Sequence, residues 1–277
     1  MKVLRLLMPL LLLAGCSLTP SPAERSQSAQ ALAAEKNWHL EILPAGNFDL
    51  AVFLPEDHDP SDRLTLYIEG DGFAWVNPSQ PSLNPTPIDA LALQLALRHP
   101  NGDTVAYLAR PCQFTEGEAR RNCSNRYWTD QRFAEEVVDA ANQATEQLKA
   151  RMGAREIELI GYSGGGAIAA LLAARRDDVA RLITIAGNLD HATWTEQQEI
   201  SSLTGSLNPA DEWSALKDTA QHHFVGEKDD VVPPQVAAAF RARFIQGSEP
   251  DIITVSDFDH HCCWVDDWPR LLRKLAD

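Results

Sequence analysis

Short apolar runs alternate with longer amphipathic stretches along most of this chain. The runs at 38–43, 48–54, 63–68, 104–109, 156–162, 181–186, 221–225 and 251–255 have the length of strands and their bias toward branched and aromatic residues. Stretches at 88–98, 131–151, 165–176, 234–245 and 266–275, with a short one near 211–217, predict helices. Within 131–151, Phe133, Val137, Ala140, Ala144 and Leu148 recur every three or four residues and form one apolar stripe. Two leading strands followed by strand–helix alternation predict an α/β fold. Its mostly parallel central sheet is flanked by helices and occupies residues 37–277.

The chain before that domain has another character. Met1-Lys2-Val3-Leu4-Arg5 is a short positive segment, and residues 6–14 are apolar apart from Pro9. This run falls well short of the roughly 20 apolar residues a membrane-spanning helix needs, but it suits the core of a signal peptide. It ends in Leu13-Ala14-Gly15-Cys16, which resembles the lipobox of bacterial lipoproteins. The resemblance implies a signal peptide at 1–15, cleavage before Cys16, and acylation of that cysteine. The plainer alternative is an ordinary signal peptide with a stray cysteine. Ser17, where aspartate is the retention signal in such proteins, implies the outer membrane, with the domain facing the periplasm. Residues 17–34 are rich in Ser, Ala, Gln and Pro, and 16–36 read as a lipidated N-terminus and linker.

The formal net charge of −15 weighs against nucleic acid as a partner, because nucleic-acid binding needs a positive face. It also weighs against electrostatic adhesion to anionic lipid, leaving acyl chains as the means of membrane attachment.

Candidate chemistry begins at Gly161-Tyr162-Ser163-Gly164-Gly165. An apolar strand precedes this G-x-S-x-G pattern and an alanine-rich helix follows it, the setting of a nucleophile elbow. The turn holds serine in a strained conformation, and side chains on its neighbours would clash with the adjacent strand and helix. A glycine-rich turn with an incidental serine is the plainer reading. The order of elements and this motif together resemble the α/β-hydrolase superfamily from about residue 37 onward.

That resemblance implies a triad in the chain order serine, acid, histidine. Gly226-Glu227-Lys228-Asp229-Asp230-Val231-Val232-Pro233 looks like the family's acid loop, with Asp229 as the carboxylate and Asp230 as its alternative. The histidine belongs after the last strand, within Ser256-Asp257-Phe258-Asp259-His260-His261-Cys262-Cys263-Trp264. His260 fits the family spacing to an aromatic at Trp264, and His261 is the alternative. Only one of two adjacent residues can aim at the serine hydroxyl. The same run contains the common transition-metal ligands. Adjacent side chains diverge, however, so no metal site is assigned.

The oxyanion donors implied by the superfamily are the N–H of Gly164 and a second N–H after the third strand. Glu69-Gly70-Asp71-Gly72 occupies that second place, with glutamate where histidine is usual, and Asp71 would donate through its backbone. The two acidic side chains beside the site weigh against anionic substrates.

Cys112, Cys123, Cys262 and Cys263 are disulfide candidates in an oxidising compartment. A Cys112–Cys123 bridge would close a short loop near the mouth of the site. Cys262 and Cys263 could bridge each other, pair elsewhere or stay reduced. Together with Ala109-Arg110-Pro111-Cys112-Gln113, the Cys262-Cys263-Trp264 run resembles a poorly characterised group of proteobacterial α/β-hydrolase-like proteins. The polar stretch 188–211 predicts a small insertion before the acid strand, in which Asp190-His191 has a structural or substrate-contact role.

The expected activity is a membrane-anchored serine hydrolase acting on an ester, thioester or amide, with no cofactor. Its partners would be a small-molecule, lipid or peptide substrate with a carbonyl centre, and the membrane through the N-terminal lipid. The alternatives are a non-catalytic envelope lipoprotein on a hydrolase scaffold and a metal-binding envelope protein.

Overall fold

A computed structural model describes residues 19–57, 61–100 and 104–275 of the chain. Cys16, the expected lipidation site, lies outside the described residues, as does the signal segment. Among the described residues no helix is long and apolar enough to cross a membrane.

The chain opens with helix α1 (Pro22–Ala34), then strands β1 (Trp38–Ala45), β2 (Phe48–Pro55) and β3 (Arg63–Ile68). A small ribbon of β4 (Trp75–Asn77) and β5 (Gln80–Pro81) follows, then α2 (Leu91–Ala96) and β6 (Thr104–Leu108). Next come α3 (Glu135–Met152), β7 (Glu156–Tyr162), α4 (Gly164–Ala173) and β8 (Val179–Ile185). The chain closes with α5 (His191–Gln197), α6 (Trp213–Leu216), β9 (Gln221–Gly226), α7 (Pro234–Arg241), β10 (Asp251–Val255) and α8 (Trp264–Arg273).

The main sheet runs β1-β2-β6-β3-β7-β8-β9-β10. The β1–β2 and β2–β6 pairs are antiparallel, and every pair from β6 to β10 is parallel. Alternate residues of the central strands feed opposite faces, as the two-residue period of a strand requires. Leu64, Leu66, Ile157 and Leu159 join a core with α3, α4 and α7, while Tyr67, Ile160 and Tyr162 join one with α1, α2 and α8. Burial on both faces explains why these strands read as nearly continuous apolar runs.

Two expectations need correction. Residues 22–34 of the expected linker form α1. Ser21 caps it reciprocally with Glu24, Pro22 opens it, and Ala29 and Ala33 are buried. Arg25, also buried, donates to the carbonyls of Thr86 and Asn84 and lies 5.0 Å over the Phe73 ring. The helix therefore docks through small residues and an arginine, leaving no run of large apolar residues for periodicity to detect. The helix expected at 88–98 is also shorter, spanning Leu91–Ala96.

Candidate active site

The C-terminal ends of β3, β7, β9 and β10 face one end of the sheet, where ligands of open parallel sheets bind. Ser163 follows β7 and caps α4 with φ 52° and ψ −121°, a conformation few non-glycine residues adopt. Its N–H donates to Ile185 O at 2.9 Å, and its carbonyl accepts from Gly166 and Asn188. The flanking glycines are required by close approach. A Cβ at 161 would lie 2.3 Å from the Gly165 carbonyl oxygen, and one at 165 would lie 2.2 Å from that of Ile68.

His260 links the other two groups. Its Nε2 is 3.0 Å from Ser163 Oγ, and its Nδ1 is 2.8 Å from Asp229 Oδ2. The other Asp229 oxygen accepts the N–H groups of Val231 and Val232 at 3.0 and 2.8 Å, which fixes the carboxylate. Asp229 and His260 are buried. The Tyr162 hydroxyl donates to the His260 carbonyl at 3.1 Å, with its ring 5.3 Å from the imidazole. Asp259 Oδ1 accepts from the N–H groups of His261 and Cys262, and its carbonyl accepts from Trp264 Nε1. This closes the loop that presents His260.

The structure therefore brings together Ser163, Asp229 and His260. Asp230 is exposed, and its carbonyl accepts from Gln198. His261 is exposed, with its ring 5.1 Å from that of His260. Among the described residues, no group of three or more His, Cys, Asp or Glu is placed to hold a metal ion.

Gly164 is the first residue of α4, so its N–H lies in the turn that has no intrahelical partner. Asp71 lies against it: a Cβ at 164 would fall 2.1 Å from Asp71 Oδ1. The Asp71 carboxylate is not a free negative charge. It meets Arg110 Nη1 at 3.2 Å and Arg132 Nη1 at 2.6 Å. This revises the expectation that Asp71 disfavours anions. The sequence named Arg110 only as part of the run 109–113, with no role, and Arg132 lies in no local motif.

Gln113 braces the same loop, donating to Gly70 O at 2.9 Å while its Oε1 accepts from Arg110 N at 3.0 Å. Cys112, next to it, has its Cα 5.7 Å from that of Cys123, within reach of a bridge, and Cys262 adjoins Cys263. Glu69 points elsewhere, accepting from Gly70 N, Ala92 N and the Tyr107 hydroxyl. Burial pushes its carboxyl up to about 7, against the effect of those donors and of the Leu93 N–H.

The insertion between β8 and β9 carries α5. Asp190 caps it, accepting from Ala192 N and Thr193 N, so this residue is structural. Trp194 and Gln198 of the insertion donate to carbonyls of the acid loop.

The comparisons bear on the fold. The sequence profile of the alpha/beta hydrolase fold matches residues 113–203. An alpha-beta serine hydrolase homologue from Coxiella burnetii superposes with a TM-score of 0.59 at 14% identity, covering 86% of this chain and 97% of its own. A serine hydrolase without lid from Xanthomonas campestris gives 0.55 at 15% identity, covering 86% and 93%. A bacterial membrane phospholipase A, described as a virulence factor, gives 0.56 at 16% identity, covering 92% and 90%. Identities this low speak to the fold alone. No curated protein matches the sequence. The chain is an α/β-hydrolase-fold protein, with an eight-stranded mixed sheet.

Proposed function

We propose that this protein is a serine hydrolase that cleaves an ester, thioester or amide. The observation that carries the reading is the unbroken hydrogen-bonded chain from Ser163 through His260 to Asp229. In this reading Ser163 Oγ attacks the substrate carbonyl carbon as His260 Nε2 takes its proton. Asp229 holds the imidazole tautomer and stabilises its charged form. The carbonyl electron pair moves onto oxygen, toward the N–H groups of Gly164 and Asp71. The bond to the leaving group then breaks as His260 returns the proton. Water, deprotonated by His260, releases the acyl group from Ser163.

The test is covalent labelling with a fluorophosphonate. The wild-type protein is expected to label stoichiometrically, and Ser163→Ala should neither label nor turn over an ester while keeping its melting temperature. An alanine variant that retains more than a few per cent of wild-type activity rules out Ser163 as nucleophile.

Lipidation at Cys16 and attachment to the outer membrane belong to the same reading. The docking of α1 makes the tether short. Only residues 17–21 separate Cys16 from the helix, a reach of roughly 18 Å when fully extended. A domain held this close suits a substrate in or near the bilayer, such as an acyl ester.

A further inference from the structure

Asp71 creates an electrostatic problem at the site. Its carboxylate rests on Gly164, next to the place where the proposed reaction puts negative charge on oxygen. Alone, that carboxylate would oppose the transition state. Arg110 and Arg132 both bind it, and both are buried. Two guanidinium groups and one carboxylate leave a formal excess of one positive charge behind the expected oxyanion position.

Neutralising one carboxylate requires only one arginine. Buried ion pairs are weak devices for stability, since apolar residues of similar volume often serve as well. The second arginine is nevertheless held with care. Arg110 Nη2 donates to Arg132 O, and Arg132 Nε donates to Thr129 O at 2.6 Å. The Arg132 guanidinium also lies 5.4 Å from the Trp194 ring of the insertion. The two arginines come from separate segments, after β6 and before α3, and converge on this one side chain.

We infer that Arg110 and Arg132 are positioning residues of the oxyanion hole. They act through the Asp71 carboxylate that both bind, turning the field beside the expected oxyanion from negative to positive. The inference rests on the serine-hydrolase reading. Glu69, the other acidic residue of the loop, binds Gly70, Ala92 and Tyr107 rather than the clamp, and it is unchanged in every variant of the test.

The test is the kinetics of fluorophosphonate labelling. In that reaction the Ser163 Oγ–P bond forms, the P–F bond breaks, fluoride leaves, and the hydroxyl proton passes to His260. The phosphonyl oxygen takes the place of the acyl oxyanion. Arg132→Gln lowers the formal charge of the cluster from +1 to 0, and Asp71→Asn raises it to +2. The double variant Asp71→Asn/Arg132→Gln restores +1 although the clamp is gone.

Arg132→Gln is expected to slow the bond-forming step about 10- to 100-fold, with probe affinity changed less than about threefold. The double variant should recover at least about tenfold of that loss, and Arg132→Lys should stay closer to wild type than Arg132→Gln. A double variant as slow as Arg132→Gln, or slower, overturns the inference and leaves a structural ion cluster. If Arg132→Gln does not fold, Arg110→Gln, which makes the same change of charge, decides in its place. It is expected to slow bond formation about tenfold or more. A folded Arg110→Gln slowed less than about tenfold overturns the inference. Ser163→Ala in the same assay separates the two levels of the argument. Continued labelling of that variant, or no labelling of wild type, defeats the hydrolase reading itself and the clamp with it. Loss of labelling in Ser163→Ala with no charge order among the other variants defeats only the clamp.

Discussion

Glu69 ties the stability of this protein to pH in a direction opposite to that of most carboxylates. Its folded-state value of about 7 compares with 4.5 for the free group. Below pH 4.5 the carboxyl is protonated in both states and contributes no pH dependence. As pH rises from 4.5 to 7, the unfolded chain ionises and the folded one does not, so stability falls. Above 7 the loss is complete, at about 3 kcal/mol. Between pH 5 and pH 8 the linkage relation gives a loss of roughly 2 to 3 kcal/mol from this one group.

Glu69→Gln removes that titration while keeping a polar side chain beside Tyr107. Urea unfolding of both proteins at pH 5 and pH 8 isolates the effect, because the other titrating groups are common to the two. The stability of the variant relative to wild type should improve by roughly 2 to 3 kcal/mol at the higher pH. A difference that stays within about 0.5 kcal/mol across the two conditions would refute the reasoning. It would mean that the donors from Gly70, Ala92 and Tyr107 outweigh burial and that Glu69 ionises normally.

Three further outcomes follow from the site and the tether. His260→Ala should lower kcat for ester hydrolysis about 10³-fold or more, and His261→Ala should lower it less than about tenfold. A larger loss at His261 would reassign the base. Gly165→Ala forces a Cβ to within 2.2 Å of the Ile68 carbonyl, so thermal unfolding should show a destabilisation of at least about 2 kcal/mol. An unchanged melting temperature would show that the elbow can open there. Cys16→Ser should release the domain from membrane fractions, with mass spectrometry of the wild-type N-terminus showing acyl chains. A wild-type protein that begins at another, unmodified residue would refute the lipoprotein reading.

The parts of this molecule that local sequence reveals are those governed by local physics. The strands of the parallel sheet could be read because burial on both faces leaves an apolar run, as in Leu64–Ile68. The elbow could be read because its glycines are imposed by contacts at 2.2–2.3 Å that admit no side chain. The preference for His260 over His261 came from spacing to Trp264. The structure supplies a physical reason for that spacing, since Trp264 Nε1 donates to the Asp259 carbonyl and fixes the turn. Helix α1 escaped because its buried face consists of Arg25, Ser26, Ala29 and Ala33 rather than an apolar stripe. Its signal was the capping sequence Ser21-Pro22-Ala23-Glu24, which an expectation of linker passed over.

The electrostatics of the site could not be read in this way, because they depend on pairs far apart in the chain. Asp71 meets Arg110 across 39 residues and Arg132 across 61. From sequence, Glu69 and Asp71 make the loop acidic. In the fold, burial pushes the Glu69 carboxyl up to about 7 and Asp71 is outnumbered by two guanidinium groups, so the loop is less negative than its sequence. Arg110 is itself pulled down to about 10, chiefly by burial and against the pull of Asp71, and so stays charged at neutral pH. A motif can name the atoms expected to react. Whether the charge around them helps or hinders is set by the topology, which here brings the segments after β6 and before α3 against the loop after β3.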